Sequence, residues 1–183
     1  MVYTVTFNPA VDYIVHTKQL IAGATNRSDS EEIYFGGKGI NVSIVLSELG
    51  VKSKALGFVA GFTGEAIENG VAEKGIDADF VHLNEGFSRI NVKIKSGEET
   101  ELNGQGPKIT DEAIRELYAK LDEIQDGDTL VLAGSIPSPA VILVPAGIYT
   151  TSFRLSESVN LAVVTAAFGS WTNVFLNAPR CFK

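Results

Sequence analysis

The sequence predicts an α/β fold built on a parallel sheet, and three observations support this. Strand-like runs alternate with helix-like segments over most of the first 134 residues. Residues 128–134 form a near-continuous apolar run, which is typical of a strand buried on both faces. Residues 89–102 instead alternate apolar and polar side chains, which predicts a hairpin with one polar face. Strands that alternate with helices indicate a sheet with a parallel core.

The first fifty residues predict two strands and a helix. Residues 2–7 are β-branched and aromatic, and the strand that they predict ends at the turn signal Asn8-Pro9. Residues 31–35 predict a second short strand. From Ile40 onward, apolar residues recur at helical spacing, which predicts an amphipathic helix.

The same rhythm continues to residue 134. Further strands are predicted at residues 52–59, 78–83 and 128–134. A helix is predicted to begin at Thr63, whose hydroxyl would cap it, and another follows Thr110, which is placed to cap that helix. The polar-faced hairpin interrupts this rhythm, so we expect it to stand off the sheet as a cover.

Composition and charge exclude several classes of protein. The chain has 183 residues, a formal net charge of −7 and one cysteine, Cys181. It lacks the Lys/Arg excess that drives nucleic-acid binding, and one cysteine excludes an internal disulfide and a multi-cysteine metal site. The long uncharged runs at residues 129–153 and 158–179 are interrupted by prolines or polar residues, which makes them poor membrane spans. With no signal peptide evident, we expect a cytoplasmic protein with no nucleic-acid or membrane partner.

The string GGKGIN at residues 36–41 is the first candidate ligand site. Glycines allow a ligand to approach closely, and amides at a helix N-terminus favour anions. Lys38 adds a mobile positive charge and Asn41 can donate and accept hydrogen bonds, which suits a hydroxylated, anionic small molecule. Val42 stands where a dinucleotide fingerprint needs glycine, and Gly39 stands where a P-loop needs Ser or Thr. A tight strand-to-helix turn without a ligand explains the string equally well.

Two further places carry polar side chains that could bind hydroxyl groups or a phosphate. Asp12 follows the first strand, at the edge where α/β proteins bind ligands, and can accept hydrogen bonds from hydroxyl groups. A surface Asx-type turn is the alternative. The hairpin carries polar residues that could hold a phosphate or belong to a solvated face: Arg89, Asn91, Lys93, Glu101 and Asn103. The two histidines, His16 and His82, show no metal-ligand spacing, so no metal site is predicted.

Six strings together resemble the PfkB (ribokinase-like) family of sugar kinases: TFNPAVDY, GGKGINVSIVLSELG, GFVAGFTGE, SRINVKIK, TELNGQGP and LAGSIP. They occur in order and at the family's spacing within residues 1–138. The resemblance implies a ribokinase-like sheet with flanking helices and a small β-lid at about residues 11–17 and 88–104. It also implies ATP- and Mg²⁺-dependent phosphorylation of a phosphorylated ketohexose: fructose 1-phosphate to fructose 1,6-bisphosphate, with tagatose 6-phosphate as the alternative substrate.

The resemblance assigns sugar-site residues by position: Asp12, Gly37, Lys38, Gly39, Asn41, Arg89, Asn91, Lys93, Glu101 and Asn103. By this resemblance, Asp12 binds sugar hydroxyls, while Arg89 and Lys38 neutralise the substrate phosphate. The four residues from Asn91 to Asn103 belong to the β-lid that covers the sugar. A homodimer formed through the lid would let the partner chain supply them.

The resemblance ends near residue 138. The family's Asn-x-x-Glu motif, which organises Mg²⁺, and its Gly-Ala-Gly-Asp motif, which supplies the anion hole and catalytic base, do not occur in the sequence. Residues 139–183 hold four charges and do not resemble the family, which suggests a frameshifted or spliced tail. We therefore expect a fold truncated at its C-terminal side, with doubtful ATP and Mg²⁺ binding and no kinase activity. A non-catalytic phosphosugar-binding protein and a defective gene product are the alternatives.

Overall fold

The computed structural model describes residues 1–134 and the backbone of two later strands, at residues 160–167 and 170–176. The described part of the chain contains these elements in order: β1 (Val2–Thr6), β2 (Ala10–His16), β3 (Ser30–Gly36), α1 (Lys38–Glu48), β4 (Ser53–Ala60), α2 (Gly61–Ala72), β5 (Asp77–Ala78), β6 (Val81–Leu83), β7 (Arg89–Ser96), β8 (Glu98–Asn103), α3 (Asp111–Leu121), β9 (Thr129–Ala133), β10 (Asn160–Ala167) and β11 (Ser170–Leu176). Most of the predicted divergent tail lies outside the described residues.

The larger sheet confirms the predicted parallel α/β core. Its strand order is β11-β10-β9-β1-β4-β5, and β6 also pairs with β4. β1 runs parallel to β4 on one side and to β9 on the other, and β10 runs parallel to β9. The carboxyl ends of β1, β4 and β9, at Thr6, Ala60 and Ala133, therefore share one edge of the sheet, the edge where open α/β proteins bind ligands.

Helices cover both faces of this sheet. On one face, Leu117 and Leu121 of α3 pack against buried side chains that include Val5 of β1. On the other face, Ile40 of α1 and Ile67 of α2 pack in a second apolar cluster. Each such fully buried side chain contributes about 1.5–3 kcal/mol relative to exposure. The sheet is thus fixed from both sides, and its carboxyl edge can act as a rigid platform.

Strands β3, β2, β7 and β8 form, in this order, a second sheet, which we call the small sheet. The chain enters it directly after the carboxyl end of β1. β2 runs antiparallel to β3 and parallel to β7, and β7 forms the predicted hairpin with β8. The hairpin turn lies at Gly97, whose φ is 87°. The strand predicted at residues 31–35 belongs to this small sheet, and the segment predicted as one strand at residues 78–83 forms β5 and β6 separately.

The two helix caps that the sequence predicts have different outcomes. Thr110 caps α3, because its hydroxyl accepts a hydrogen bond of 3.2 Å from the Ala113 amide. Thr63 does not begin α2, which starts at Gly61. The Thr63 hydroxyl instead donates to the Ser88 carbonyl at 2.7 Å. The prediction for Thr63 is wrong because a tertiary acceptor, 25 residues away along the chain, takes its hydroxyl.

Among the described residues, no helix is long and apolar enough to cross a bilayer.

Replacing Gly39 with alanine should destabilise the protein, although alanine is the better helix former. A Cβ at this position of α1 would lie 2.5 Å from Thr6 Oγ1 and 2.7 Å from the Val5 carbonyl oxygen. The helix must then move off β1, and we expect the free energy of unfolding, measured in urea, to fall by about 1–3 kcal/mol. Val45→Ala, at an exposed position of the same helix, should change it by no more than about 0.5 kcal/mol. An unchanged or higher stability of Gly39→Ala would contradict this packing.

Candidate functional site

The small sheet presents polar side chains in rows that run across its strands. Residues opposite one another in register project from the same face of a sheet. Asp12 of β2 lies opposite Tyr34 of β3 and Asn91 of β7, and Asn91 lies opposite Asn103 of β8. Pairing therefore brings three of the predicted sugar-site residues, from distant parts of the sequence, into one row.

Arg89 and Asp12 form the charged centre of this face. Arg89 begins β7 opposite Ala10, one row nearer the larger sheet than Asp12. Burial lowers the pKa of the Arg89 guanidinium, and the nearby Asp12 carboxylate opposes that shift. Asn91 donates a hydrogen bond of 2.9 Å to the Asp12 carboxylate, which fixes the direction of that group. The result is a partly desolvated cation held beside an oriented carboxylate.

The start of α1 closes the site from the side of the larger sheet. A Cβ at Gly36 would lie 3.2 Å from the Asp12 carboxylate and 3.4 Å from Asn41 Oδ1, so Gly36 stands between these two side chains. Lys38 lies close to the carboxyl end of β9, since a Cβ at Gly134 would come within 3.9 Å of the Lys38 Cβ. Four separate segments, β2, β7, α1 and the end of β9, thus meet at one edge.

Two of the predicted site glycines have a structural role. Gly37 is the N-cap of α1 and has a φ of 132°. A Cβ at Gly37 would lie 2.4 Å from Thr6 Cγ2, and the Cβ position of Gly39 also faces Thr6 and Val5. These two glycines let α1 approach β1 closely at the turn from β3. Gly36, which the site prediction omitted, is the glycine whose missing side chain faces Asp12 and Asn41.

Three buried polar atoms in the described part of the chain lack a hydrogen-bond partner, and all belong to residues at or next to the bases of β2 and β7. They are Asn8 Oδ1, Arg89 Nε and Asn91 Oδ1. Leaving a buried polar group unpaired costs about 1–3 kcal/mol, so such atoms are rare in folded proteins. Their concentration at one junction marks this junction as a candidate ligand site. In the sequence, Asn8 indicates only a turn before Pro9. No local signal distinguishes a turn asparagine from one with a buried, unpaired side-chain oxygen.

Lys93 and Glu101 of the hairpin lie one row further out than Asp12, and Asn103 meets them from the row of Asp12. Lys93 lies opposite Glu101 and forms an ion pair with it at 3.6 Å. Asn103 donates to Glu101 at 3.3 Å. Glu101 therefore links Lys93 and Asn103, and Lys93 and Glu101 extend the polar face one row beyond Asp12.

A tyrosine–glutamate–histidine cluster stands at the outer end of the same face. Glu32 of β3 accepts a hydrogen bond from the Tyr34 hydroxyl and lies 2.7 Å from His16 Nε2. The Tyr34 bond, and to a lesser extent His16, lowers the pKa of the Glu32 carboxyl. The same pairing raises the pKa of Tyr34.

The described residues contain no group of three or more His, Cys, Asp or Glu side chains that could hold a metal ion. They therefore offer no set of carboxylates that fits Mg²⁺, and we assign neither Mg²⁺ ligands nor ATP contacts to them.

Comparison with known proteins gives this architecture a family. The model of the pfkB family carbohydrate kinases matches residues 5–146, eight residues beyond the limit of 138 drawn from the motifs. The 1-phosphofructokinase of Bacillus subtilis (strain 168) is 53% identical over 138 residues. The D-tagatose-1-phosphate kinase of Bacillus licheniformis is 42% identical over 137 residues. Each alignment covers 75% of this chain and 45% of the relative. The chain thus spans a little less than half the length of these curated relatives.

Solved structures agree with the sequence comparison. The phosphofructokinase-2 from Escherichia coli in complex with substrates and products is similar with a TM-score of 0.72 and 26% identity, over 76% of this chain and 46% of that one. A parallel sheet flanked by helices, with this degree of likeness, defines a ribokinase-like α/β protein. The chain belongs to the pfkB family of carbohydrate kinases.

Replacing Tyr34 with phenylalanine should raise the pKa of Glu32 toward the ordinary glutamate value, because it removes the largest cause of the depression. A carboxyl whose folded pKa is lowered contributes stability that is present above its unfolded pKa and is lost as the pH falls through the folded pKa. The pKa is measured by NMR titration of the side-chain carboxyl. Tyr13→Phe should leave Glu32 unchanged, because Tyr13 bonds to Glu31 instead. A Glu32 pKa unaffected by Tyr34→Phe would contradict the assigned cause.

Proposed function

We propose that residues 1–134 form the sugar-phosphate-binding part of a pfkB kinase, and that the small sheet is its lid. The observation that carries this proposal is the convergence of Asp12, Asn91 and Arg89 at the carboxyl edge of the larger sheet. An oriented carboxylate is suited to sugar hydroxyls, and a partly buried guanidinium is suited to a phosphate. The two groups lie on one face, one row apart, so one small molecule could engage both.

Arg89 is the proposed phosphate ligand. Its Nε atom is buried without a hydrogen-bond partner, and Asp12 is the nearby charge that affects its pKa. A phosphate would accept charge-assisted hydrogen bonds in the bidentate geometry that a guanidinium offers. Binding would therefore satisfy the unpaired donor and neutralise a partly desolvated charge.

The start of α1 supports the same assignment. Helix N-termini favour anions because their amides and dipole point toward the ligand. Lys38 is the first residue of α1 and adds a positive charge close to that end. We propose that Gly37, Lys38, Gly39 and Asn41 line the sugar site, with Asn41 contacting hydroxyl groups. The packing role of the two glycines is compatible with a ligand on the opposite side of the turn.

The proposed substrate is a ketohexose phosphate, with fructose 1-phosphate first. The names of the two curated relatives described above both refer to a ketohexose phosphorylated at position 1, and one of them is 53% identical to this chain. The motifs do not separate fructose from tagatose, so tagatose 6-phosphate remains the alternative. In the family, ATP supplies the phosphoryl group and the product here would be fructose 1,6-bisphosphate.

We infer that this chain by itself binds the sugar phosphate without turnover. Phosphoryl transfer depends on positioning and charge stabilisation by a base, an anion hole and Mg²⁺. The two family motifs that supply them do not occur in the sequence. The proposed contribution of the described residues is therefore recognition: they orient the sugar and neutralise its phosphate.

The lid is also the proposed surface for a homodimer. Val11, on the apolar face of the lid, packs into the core beside α2. The rest of this apolar face extends away from the larger sheet. One row on this face crosses all four strands: Ile33, Tyr13, Val92 and Leu102. Ile33 is 58% exposed and Leu102 is 72% exposed, which is more than an apolar sheet face normally leaves in water. A second copy of the lid would cover this row, while Lys93 and Glu101 stay on the opposite, polar face of their own lid.

Titration calorimetry of the purified chain with fructose 1-phosphate should give a saturable heat of binding. Arg89→Ala should weaken the affinity roughly ten- to a hundredfold, because hydrogen bonds to charged groups contribute about 1.5–3 kcal/mol. Arg115→Ala, at an exposed arginine of α3, is the matched control and should leave the affinity unchanged.

Four results would count against parts of this proposal. A folded chain that gives no heat with fructose 1-phosphate has no such site. Equal loss in both arginine variants would indicate non-specific charge attraction. Tighter binding of tagatose 6-phosphate would select the alternative substrate. Production of ADP from ATP would overturn the inference that the chain binds the sugar phosphate without turnover.

Leu102→Lys should shift the chain from dimer to monomer in sedimentation equilibrium. The charge would have to be buried without a partner in the proposed interface, which strongly disfavours association. Leu49→Lys is the control, because Leu49 is equally exposed at 71% but lies at the end of α1. A monomeric native chain, or a dimer that survives Leu102→Lys, would exclude the lid as the interface.

A further inference from the structure

Asn8 stands where the chain leaves β1 and crosses into the small sheet, and it is 6% exposed. Its Nδ2 atom donates a hydrogen bond of 2.9 Å to the Gln105 carbonyl, 97 residues further along the chain. Gln105 follows β8 and lies where the chain leaves the small sheet for α3. One side chain therefore joins the first and last crossings between the two sheets.

Gly106 packs directly against the Asn8 carboxamide. A Cβ at Gly106 would lie 2.3 Å from Asn8 Oδ1 and 3.1 Å from Asn8 Cγ, and the φ of Gly106 is 84°. A side chain at position 106 would collide with the carboxamide and strain the backbone. The last crossing is thus shaped around Asn8 and does not merely pass near it.

The Asn8 Oδ1 atom lacks a hydrogen-bond partner although it is buried. A buried, unpaired carbonyl oxygen destabilises the folded state, and an apolar side chain of similar size would avoid that cost. The Gln105 bond satisfies only the amino half of the carboxamide. Stability alone is therefore a poor reason for asparagine at this position, and the geometry of the crossings is a better one.

The other two crossings are fastened by different groups. Where the chain passes from β3 to α1, Gly37 packs on Thr6. Where it enters β7, Ser88 accepts a bond from the Ala60 amide at 3.0 Å and another, at its carbonyl, from Thr63. The bond from Asn8 to Gln105 ties the last crossing to the carboxyl edge of β1.

We propose that Asn8 is a positioning residue of the sugar-phosphate site. By joining the first crossing to the last, its carboxamide sets the position of β8, with Glu101 and Asn103, relative to Asp12 on β2. This inference rests on the proposed function for its ligand, whereas the link between the crossings is a property of the free chain. The two can therefore fail separately.

The test compares Asn8→Ala with Gln105→Ala by hydrogen–deuterium exchange. Gln105 is exposed, and its substitution keeps the carbonyl that Asn8 binds, so this variant is the matched control. Without ligand, amides of residues 103–106 should exchange about fivefold faster in Asn8→Ala, the factor that one ordinary hydrogen bond represents, and at the native rate in Gln105→Ala.

The arm with ligand separates positioning from a merely structural role. On addition of fructose 1-phosphate, the wild-type chain should gain protection both around Asp12 and at residues 103–106. In Asn8→Ala, the protection around Asp12 should persist while that at residues 103–106 is lost, and the affinity should fall about fivefold. Binding with unchanged protection of both segments would overturn the proposal.

Gly106→Ala provides a second route to the same link and guards against an Asn8 variant that fails to fold. Its Cβ should displace the carboxamide and reproduce the faster exchange of the last crossing. In the Asn8→Ala background the collision is absent, so Gly106→Ala should have a much smaller further effect, because the positive-φ strain is common to both backgrounds and cancels. Strictly additive effects would overturn the link. A wild-type chain that does not bind fructose 1-phosphate would refute the proposed function, and the exchange of the free chain would still decide the role of Asn8.

Discussion

The seating of helix α1 on strand β1 is the contact on which the rest of the site depends. Gly39 brings the helix against the Val5 carbonyl, and the Ile40 amide donates to Thr6 Oγ1 at 2.9 Å. One turn later, the hydroxyls of Thr4 and Ser43 lie 2.8 Å apart. Buried polar pairs of this kind are directional, so they set the depth and rotation of the helix as well as its contact. The N-terminus of α1 is thereby held at the carboxyl edge of the sheet. Because β3 runs directly into α1, the same contact also fixes one edge of the small sheet.

The buried charge and the unpaired polar atoms of the site require this rigid support. The loss of water around a buried guanidinium is unfavourable, and the Asp12 carboxylate offsets part of that cost for Arg89. Asn91 orients that carboxylate but keeps its own Oδ1 unpaired. A flexible surface would relax and satisfy such atoms with its own groups. A rigid one can keep them in place, and binding energy then comes from groups that the ligand brings.

The sequence predicted most elements whose signals are local. The Thr110 cap and the two-residue period of the hairpin both depend on neighbours within a few positions, and both are confirmed. Thr63 was misread because its hydroxyl bonds to a segment that is distant in sequence. The strand at residues 31–35 was found, but nothing in its composition indicates which of two sheets it joins. Sheet membership depends on pairing partners, which lie outside any local window.

The same difference between local sequence signals and long-range pairing applies to the candidate site. Motifs in the sequence predicted Asp12, Arg89 and Asn91 as site residues, because residue types and their order can be read from the sequence itself. The sequence could not give the register that sets Asp12 opposite Asn91, since a shift of one residue would turn either side chain to the other face. It also could not show that the Cβ position of Gly36 faces Asp12 and Asn41 while those of Gly37 and Gly39 face β1, or that Asn8 meets Gln105. Those facts depend on how close two backbones come, and only the folded chain determines that distance.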